Sequence, residues 1–140
     1  MTNEATFIEL YGNNGDGRPV QCTVASNAAI NTGSIIVLSD PNTGALAASA
    51  GQPTIGISAF EKKNNDYSTK LTCYTDGLFG LVASGAITVG APVTTATTGS
   101  LNYISQAVGM NETTASLAMN FGIAKSTASD NERIPVRINL

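Results

Sequence analysis

The sequence contains no histidine and no tryptophan. The first absence removes the commonest general base and the commonest metal ligand. The second removes the best ring for stacking on a sugar. Charge is scarce too: 7 Lys+Arg and 10 Asp+Glu make up 12% of 140 residues, about half the usual share. With a net charge of −3 and a pI near 4.7 there is no cationic field to gather phosphates, which argues against nucleic acid as a partner. The longest apolar stretches, Ile35–Leu38 and Ala45–Ala48, fall far short of the roughly 20 residues a membrane helix needs. Met1-Thr2-Asn3-Glu4 has neither the basic nor the apolar part of a secretion signal. The expectation is a chain made in the cytoplasm, with no membrane partner. Cys22 and Cys73 lie 51 positions apart with no CxxC spacing, so they suggest no zinc or redox site. Each falls in an alternating segment and reads as a buried reduced thiol, a disulfide being the alternative.

What is present describes a folded domain with a polar, nearly uncharged surface. Hydrophobic residues make up 42%, too many for a disordered chain, and Thr, Ser and Asn number 17, 12 and 13. Period-3.6 apolar spacing is rare, and only Glu112–Met119, behind an Asn111 cap, reads as a short helix. Strand signals recur instead. Ile134, Val136, Ile138 and Leu140 alternate with Pro135, Arg137 and Asn139, which marks a half-buried antiparallel strand. Pro135 has no N–H for a ladder, so this strand is expected at an edge, or paired on one side there. Thr6–Tyr11, Val20–Ala25, Ile35–Leu38, Thr54–Phe60, Thr69–Tyr74, Leu78–Ala83, Pro92–Thr95 and Phe121–Lys125 read as further strands. Asn14-Gly15-Asp16-Gly17, Asp40-Pro41-Asn42-Thr43-Gly44 and Asp76-Gly77 supply turns between them. Short strands at such intervals predict an all-β barrel-like or sandwich fold.

The chain also repeats itself. Ala29–Ile36 aligns with Ala86–Val93 at an offset of 57, Thr43–Leu46 with Thr98–Leu101 at 55, and Ile55–Ser58 with Phe121–Ala124 at 66. The last jump places an insertion of about eleven residues in the second copy, near Ala107–Met119; with Val108-Gly109-Met110 as the partner instead, at an offset of 53, the insertion follows them. The copies span about 26–77 and 83–140 within a single β domain, 18–140, and two such units must close on each other to bury a core. Gly33, Gly56, Gly90 and Gly122 read as turn glycines, where the chain reverses and a Cβ would clash.

Catalytic patterns are missing. No Ser-x-x-Lys or Gly-x-Ser-x-Gly context surrounds any Ser–Lys pair, and Asp16, Asp40, Asp66, Asp76, Asp130 and Glu132 are scattered among turn residues as caps. Asn13-Asn14-Gly15-Asp16 supplies too few oxygens for calcium. No catalytic residue, metal site or cofactor is expected. The eight aromatics read mostly as core or barrel-end packing. The exception is residues 1–17, an N-terminal arm or a first strand. Phe7, Ile8, Leu10 and Tyr11 precede a Gly-rich break and lie outside both copies, so they are candidates to dock by strand addition on a partner.

The repeat carries a resemblance. Ala29/Gly33/Ile36, Gly56/Ile57, Leu71/Cys73, Ala86/Gly90/Val93, Gly122/Ile123/Ala124 and Ile134/Val136/Ile138 follow the pattern of the head decoration, or capsid cement, proteins of tailed bacteriophages. Residues 17 to 140 resemble that family, with Ser58 where the first copy usually has Ala and a longer second half. The resemblance implies a non-enzymatic β-barrel on the exterior of the virion capsid. It implies the major capsid protein as partner, homotrimers at three-fold positions, and stabilisation of the head by bridging capsomers. The alternative is a head-fibre base, tail or adhesin-like virion protein binding a carbohydrate or host surface, which the lack of tryptophan disfavours.

Overall fold

Runs of β-branched and aromatic residues broken every few positions by Gly, Asn, Asp or Pro favour short strands over helices. The computed structural model describes residues 4–48, 51–96, 102–106 and 121–140. Among them are β1 (Thr6–Leu10), a 3-10 turn at Asn13–Gly15, β2 (Val20–Thr23), β3 (Ile35–Asp40), β4 (Thr43–Leu46), β5 (Thr54–Ser58) and β6 (Lys70–Tyr74). A second set follows: β7 (Asp76–Ala83), β8 (Pro92–Thr95), β9 (Tyr103–Gln106), β10 (Gly122–Ala124) and β11 (Arg133–Asn139). The expected helix and insertion lie outside the described residues, as do Thr98–Leu101.

The strands form two five-stranded rings of one topology. The first runs β2-β4-β3-β5-β6 and closes on β2; the second runs β7-β9-β8-β10-β11 and closes on β7. Among the described residues the only parallel contacts, β2 with β4 and β7 with β9, fall at the same place in each ring. Individual pairs also correspond: Val20↔Cys73 with Phe79↔Val136, Ile36↔Gly56 with Val93↔Gly122, and Thr23↔Thr43 with Val82↔Tyr103. Outside the strands, the bridge Ile30↔Lys62 is matched by Ile87↔Ala128. The all-β fold of two similar units is therefore observed.

Register keeps the 57 offset of Ile36 to Val93 and the 66 of Gly56 to Gly122, but corrects the middle block. Thr43 is equivalent to Tyr103, so β4 corresponds to β9 and not to Thr98–Leu101. A shared Thr-Gly-x-Leu spelling aligned the wrong residues, because pairing with β3 and β8, not lettering, defines the strand. Each unit also opens on a strand outside the aligned blocks, β2 and β7, whose equivalent residues Val20/Phe79 and Cys22/Leu81 are apolar in both but never identical. β11 is not an edge strand. It pairs with β7 along its whole length and with β10 only at Val136–Ile138, so Pro135 lies one residue past the end of that ladder.

Burial follows the alternation. Ile36 points into the first ring with Cys22, Val24, Ile30, Leu71 and Cys73. Its neighbours Ile35 and Val37 point the other way and join Ile57 in the larger core of Phe79, Leu81, Val93, Ile104, Val136 and Ile138. β3 is thus buried on both faces, one turned to the small core inside the first ring and the other to the larger core, which spans both units.

Candidate functional site

Two ends of the molecule differ in character. At the end where β6 passes into β7, Asp76 is buried between Arg18 Nε at 3.3 Å and Arg137 Nη1 at 2.5 Å, and Arg137 stacks 4.5 Å over the Tyr11 ring. Leu140 N–H donates to the Thr75 carbonyl, tying down the C-terminus. Asp76 was expected to cap a turn; it neutralises two guanidiniums instead. The other acids behave largely as expected. Asp16 accepts from Arg18 N–H, Asp130 from Gly85 N–H and Glu132 from Ser129 N–H.

β1 pairs antiparallel with β7, outside both rings. Phe7 meets Tyr74 and Phe79 edge-on at 5.4 and 5.6 Å, and Leu10 packs against the shared core. A bulge between Phe7 and Glu9 frees Ile8, which is 51% exposed. The N-terminal candidates are therefore divided: Tyr11 and Leu10 are anchored, while Phe7 and Ile8 reach solvent.

The four glycines also divide. Gly33 and Gly90 have φ of +89° and +84° at equivalent turns. Gly56 and Gly122 are not at turns; they lie in β5 and β10. A Cβ at Gly56 would collide with the Tyr74 carbonyl, and one at Gly122 would come within 2.7 Å of the Arg137 carbonyl. Their need is close strand approach, not reversal.

The opposite end gathers parts of both units. Gly33 N–H donates to Ser58 O, Ala5 N–H to Gly33 O, and Arg133 Nη1 to Glu4 O, which joins the turn at Gly33, the end of β5 and the start of β11 around the start of β1. In loop 59–69 the Lys62 side chain is only 3% exposed and donates to the carbonyls of Ser26, Ala28 and Lys63 and to Asp66 Oδ1. Asp66 accepts from Ser68 and Lys63 N–H as well. The Ser68 hydrogen bond chiefly holds its carboxyl below the ordinary range. Phe60 and Tyr67, read from sequence as packing residues, are exposed in this loop. The missed signal was their setting, since Glu61–Thr69 holds no other apolar residue that would draw them inward.

An open cleft of about 370 Å³ on the flank of the second ring is lined by Pro92, Phe121, Gly122, Ile123, Arg137 and Asn139. It offers no nucleophile and base together. Cys22 and Cys73 are buried free thiols, and burial raises the pKa of both. Among the described residues no group of three His, Cys, Asp or Glu side chains is placed to hold a metal ion.

Residues 15–140 match the family model of the phage cement protein. The chain belongs to the phage cement protein family. β1 precedes the matched part of this cement protein. No curated protein matches it. Among solved structures it is similar to the N base of head fiber gp8.5 in bacteriophage phi29, at 14% identity and a TM-score of 0.53, over 86% of this chain and 92% of that one. At that identity the likeness is one of fold.

Proposed function

We propose that this phage cement protein binds the outside of the assembled head, contacts the major capsid protein as a homotrimer, and stabilises the shell by bridging capsomers. The family match over residues 15–140 is the observation that carries this reading. A ligand that binds the assembled shell better than free subunits stabilises the shell by mass action, with no chemistry required. Many copies at symmetric positions multiply modest contacts. A surface poor in charge makes such binding weakly dependent on salt. Ile8, exposed at the bulge of β1, extends the contact on the N-terminal side. The likeness to a head-fiber base favours a second reading, in which the fold seats a longer appendage that meets the host surface.

Titration of purified protein onto empty expanded heads assembled without it tests the proposal. Saturable cosedimentation at a fixed number of copies per three-fold position is expected. Ile8→Ser should lower the affinity about threefold or more with an unchanged melting temperature. Retention on host cells but not on heads would overturn the proposal in favour of the second reading.

A further inference from the structure

The three most exposed large apolar side chains among the described residues are Tyr67 at 74%, Phe60 at 61% and Val89 at 55%. Tyr67 and Phe60 lie in loop 59–69 of the first unit. Val89 lies in the second unit's counterpart of the turn at Gly33. There Gly90 N–H donates to Ala124 O as Gly33 N–H donates to Ser58 O, and Val89 N–H is held by Thr127 Oγ1. Phe60 and Tyr67 therefore stand on the loop that follows β5, whose end is tied through Gly33 to the start of β1, and Val89 takes the equivalent turn of the second unit.

Loop 59–69 is built to hold its rings outward. Lys62 is buried under it and makes four hydrogen bonds, three of them to backbone carbonyls. Ser58 Oγ donates to the Phe60 carbonyl at 2.7 Å, fixing the first ring's backbone. Tyr67 has a φ of +57°, a left-handed conformation that a bulky residue seldom adopts, and the Asp66 carboxylate bonds to the N–H groups on both sides of it in sequence, at Lys63 and Ser68. The equivalent loop 125–132 of the second unit also has a left-handed residue, Asn131, and a carboxylate on a loop N–H, Glu132 on Ser129, but no buried lysine and no ring: Ser126 stands in place of Phe60 and Ala128 in place of Lys62. A buried ammonium and a left-handed tyrosine are unneeded for closing such a ring, since the second ring closes without them.

We infer that loop 59–69, led by Phe60 and Tyr67, is the face on which the cement protein docks onto the capsid lattice. The inference rests on the capsid reading above and names the surface for it. A second copy is the poorer occupant. Two copies meeting by loop 59–69 would set ring against ring, and none of the residues lining the described cleft belongs to that loop, so the rings would find no recess there. Projecting, preorganised aromatics suit a folded partner that brings its own recesses, and they bind with little ordering cost. Charges in this loop and its counterpart are of mixed sign (Glu61, Lys63, Lys125, Asp130 and Glu132), so steering by one net charge is not the basis of the contact.

The test compares wild type, Phe60→Ser/Tyr67→Ser and Val20→Ser/Ile123→Ser on the same empty heads. The last variant removes exposed apolar groups elsewhere on the surface. The end-loop variant is expected to bind at least about tenfold more weakly while melting within about 2 °C of wild type. The flank variant should bind within about twofold of wild type, and wild-type affinity should change less than about threefold between roughly 50 and 500 mM salt. Wild-type occupancy by the end-loop variant, or an equal loss in the flank variant, overturns this inference and leaves the capsid reading standing. Failure of the wild type itself to bind heads overturns the capsid reading.

Discussion

Where the second barrel holds Phe79, Leu81, Ile104 and Val136, the first holds Val20, Cys22, Gly44 and Cys73 at the equivalent positions. The interior of the first ring is narrower: a Cβ on Gly44 would come within 2.7 Å of Ile36 and 3.0 Å of the Cys22 sulfur. Strand order and register are nonetheless the same. What the two units share is the device that permits the topology, a positive-φ glycine ahead of β3 and β8 and a strand glycine under a neighbouring carbonyl in β5 and β10. What they do not share is packing volume, and the difference divides the work. The second barrel carries the larger core and receives β1. The first carries the longer β5–β6 loop, eleven residues against eight, with its exposed rings.

The sharpest way to break this comparison is at one equivalent pair. Phe79→Ala should cost about 3–5 kcal/mol, since Phe79 is fully buried and also supports Phe7 of β1. Val20→Ala, at the matching place in the first ring, should cost under about 0.5 kcal/mol, because Val20 is 41% exposed. Urea unfolding measures both. Similar losses would mean that the two barrels bear load equally and that the division of work is wrong.

The next effect lies in the loops. Lys62→Ala removes the donor that satisfies Ser26 and Ala28 carbonyls, at a cost of about 1–3 kcal/mol. Ala128→Lys, which copies the first unit into the second, should cost at least as much, because Ala128 is 3% exposed and an ammonium there enters without that set of acceptors. Acid sharpens the contrast. Asp66 has a lowered pKa, so its contribution is present above the ordinary aspartate range near pH 4 and is lost as pH falls through the lowered value. The stability difference between wild type and Asp66→Asn should shrink across that window.

Much of the fold was legible because its signals are local. Alternation in Ile134–Leu140, the paired Gly33 and Gly90 turns and the offset of 66 at Gly56 and Gly122 all appear in the residues themselves. β4 and β9 were not legible, since Thr43-Gly44-Ala45-Leu46 and Tyr103-Ile104-Ser105-Gln106 share no lettering and are equated only by their partners. The docking loop was missed for a related reason. Phe60 and Tyr67 are ordinary core types, and their exposure is imposed by Lys62 reaching carbonyls 34 and 36 positions away, a long-range contact that no local pattern announces.

The smallest effect at neutral pH, and the one that isolates the first barrel's interior, concerns its thiols. Cys73→Val borrows the residue that the second ring uses at Val136, and Cys22→Ala shortens its neighbour in the same small core. In the native wild type both thiols should resist an aromatic disulfide reagent, since burial removes access and raises each pKa. The raised native values mean that the folded chain retains protons which the unfolded chain releases above about pH 8.5. Stability from this source is therefore complete below that pH and is lost as pH rises, by up to about 1.4 kcal/mol per pH unit for each thiol while its native form stays protonated. The Cys22→Ala/Cys73→Val variant should lose less stability than wild type between about pH 8.5 and 10. Equal alkaline slopes, or rapid labelling of the native wild type, would show that the first ring is open to solvent and is not a closed counterpart of the second.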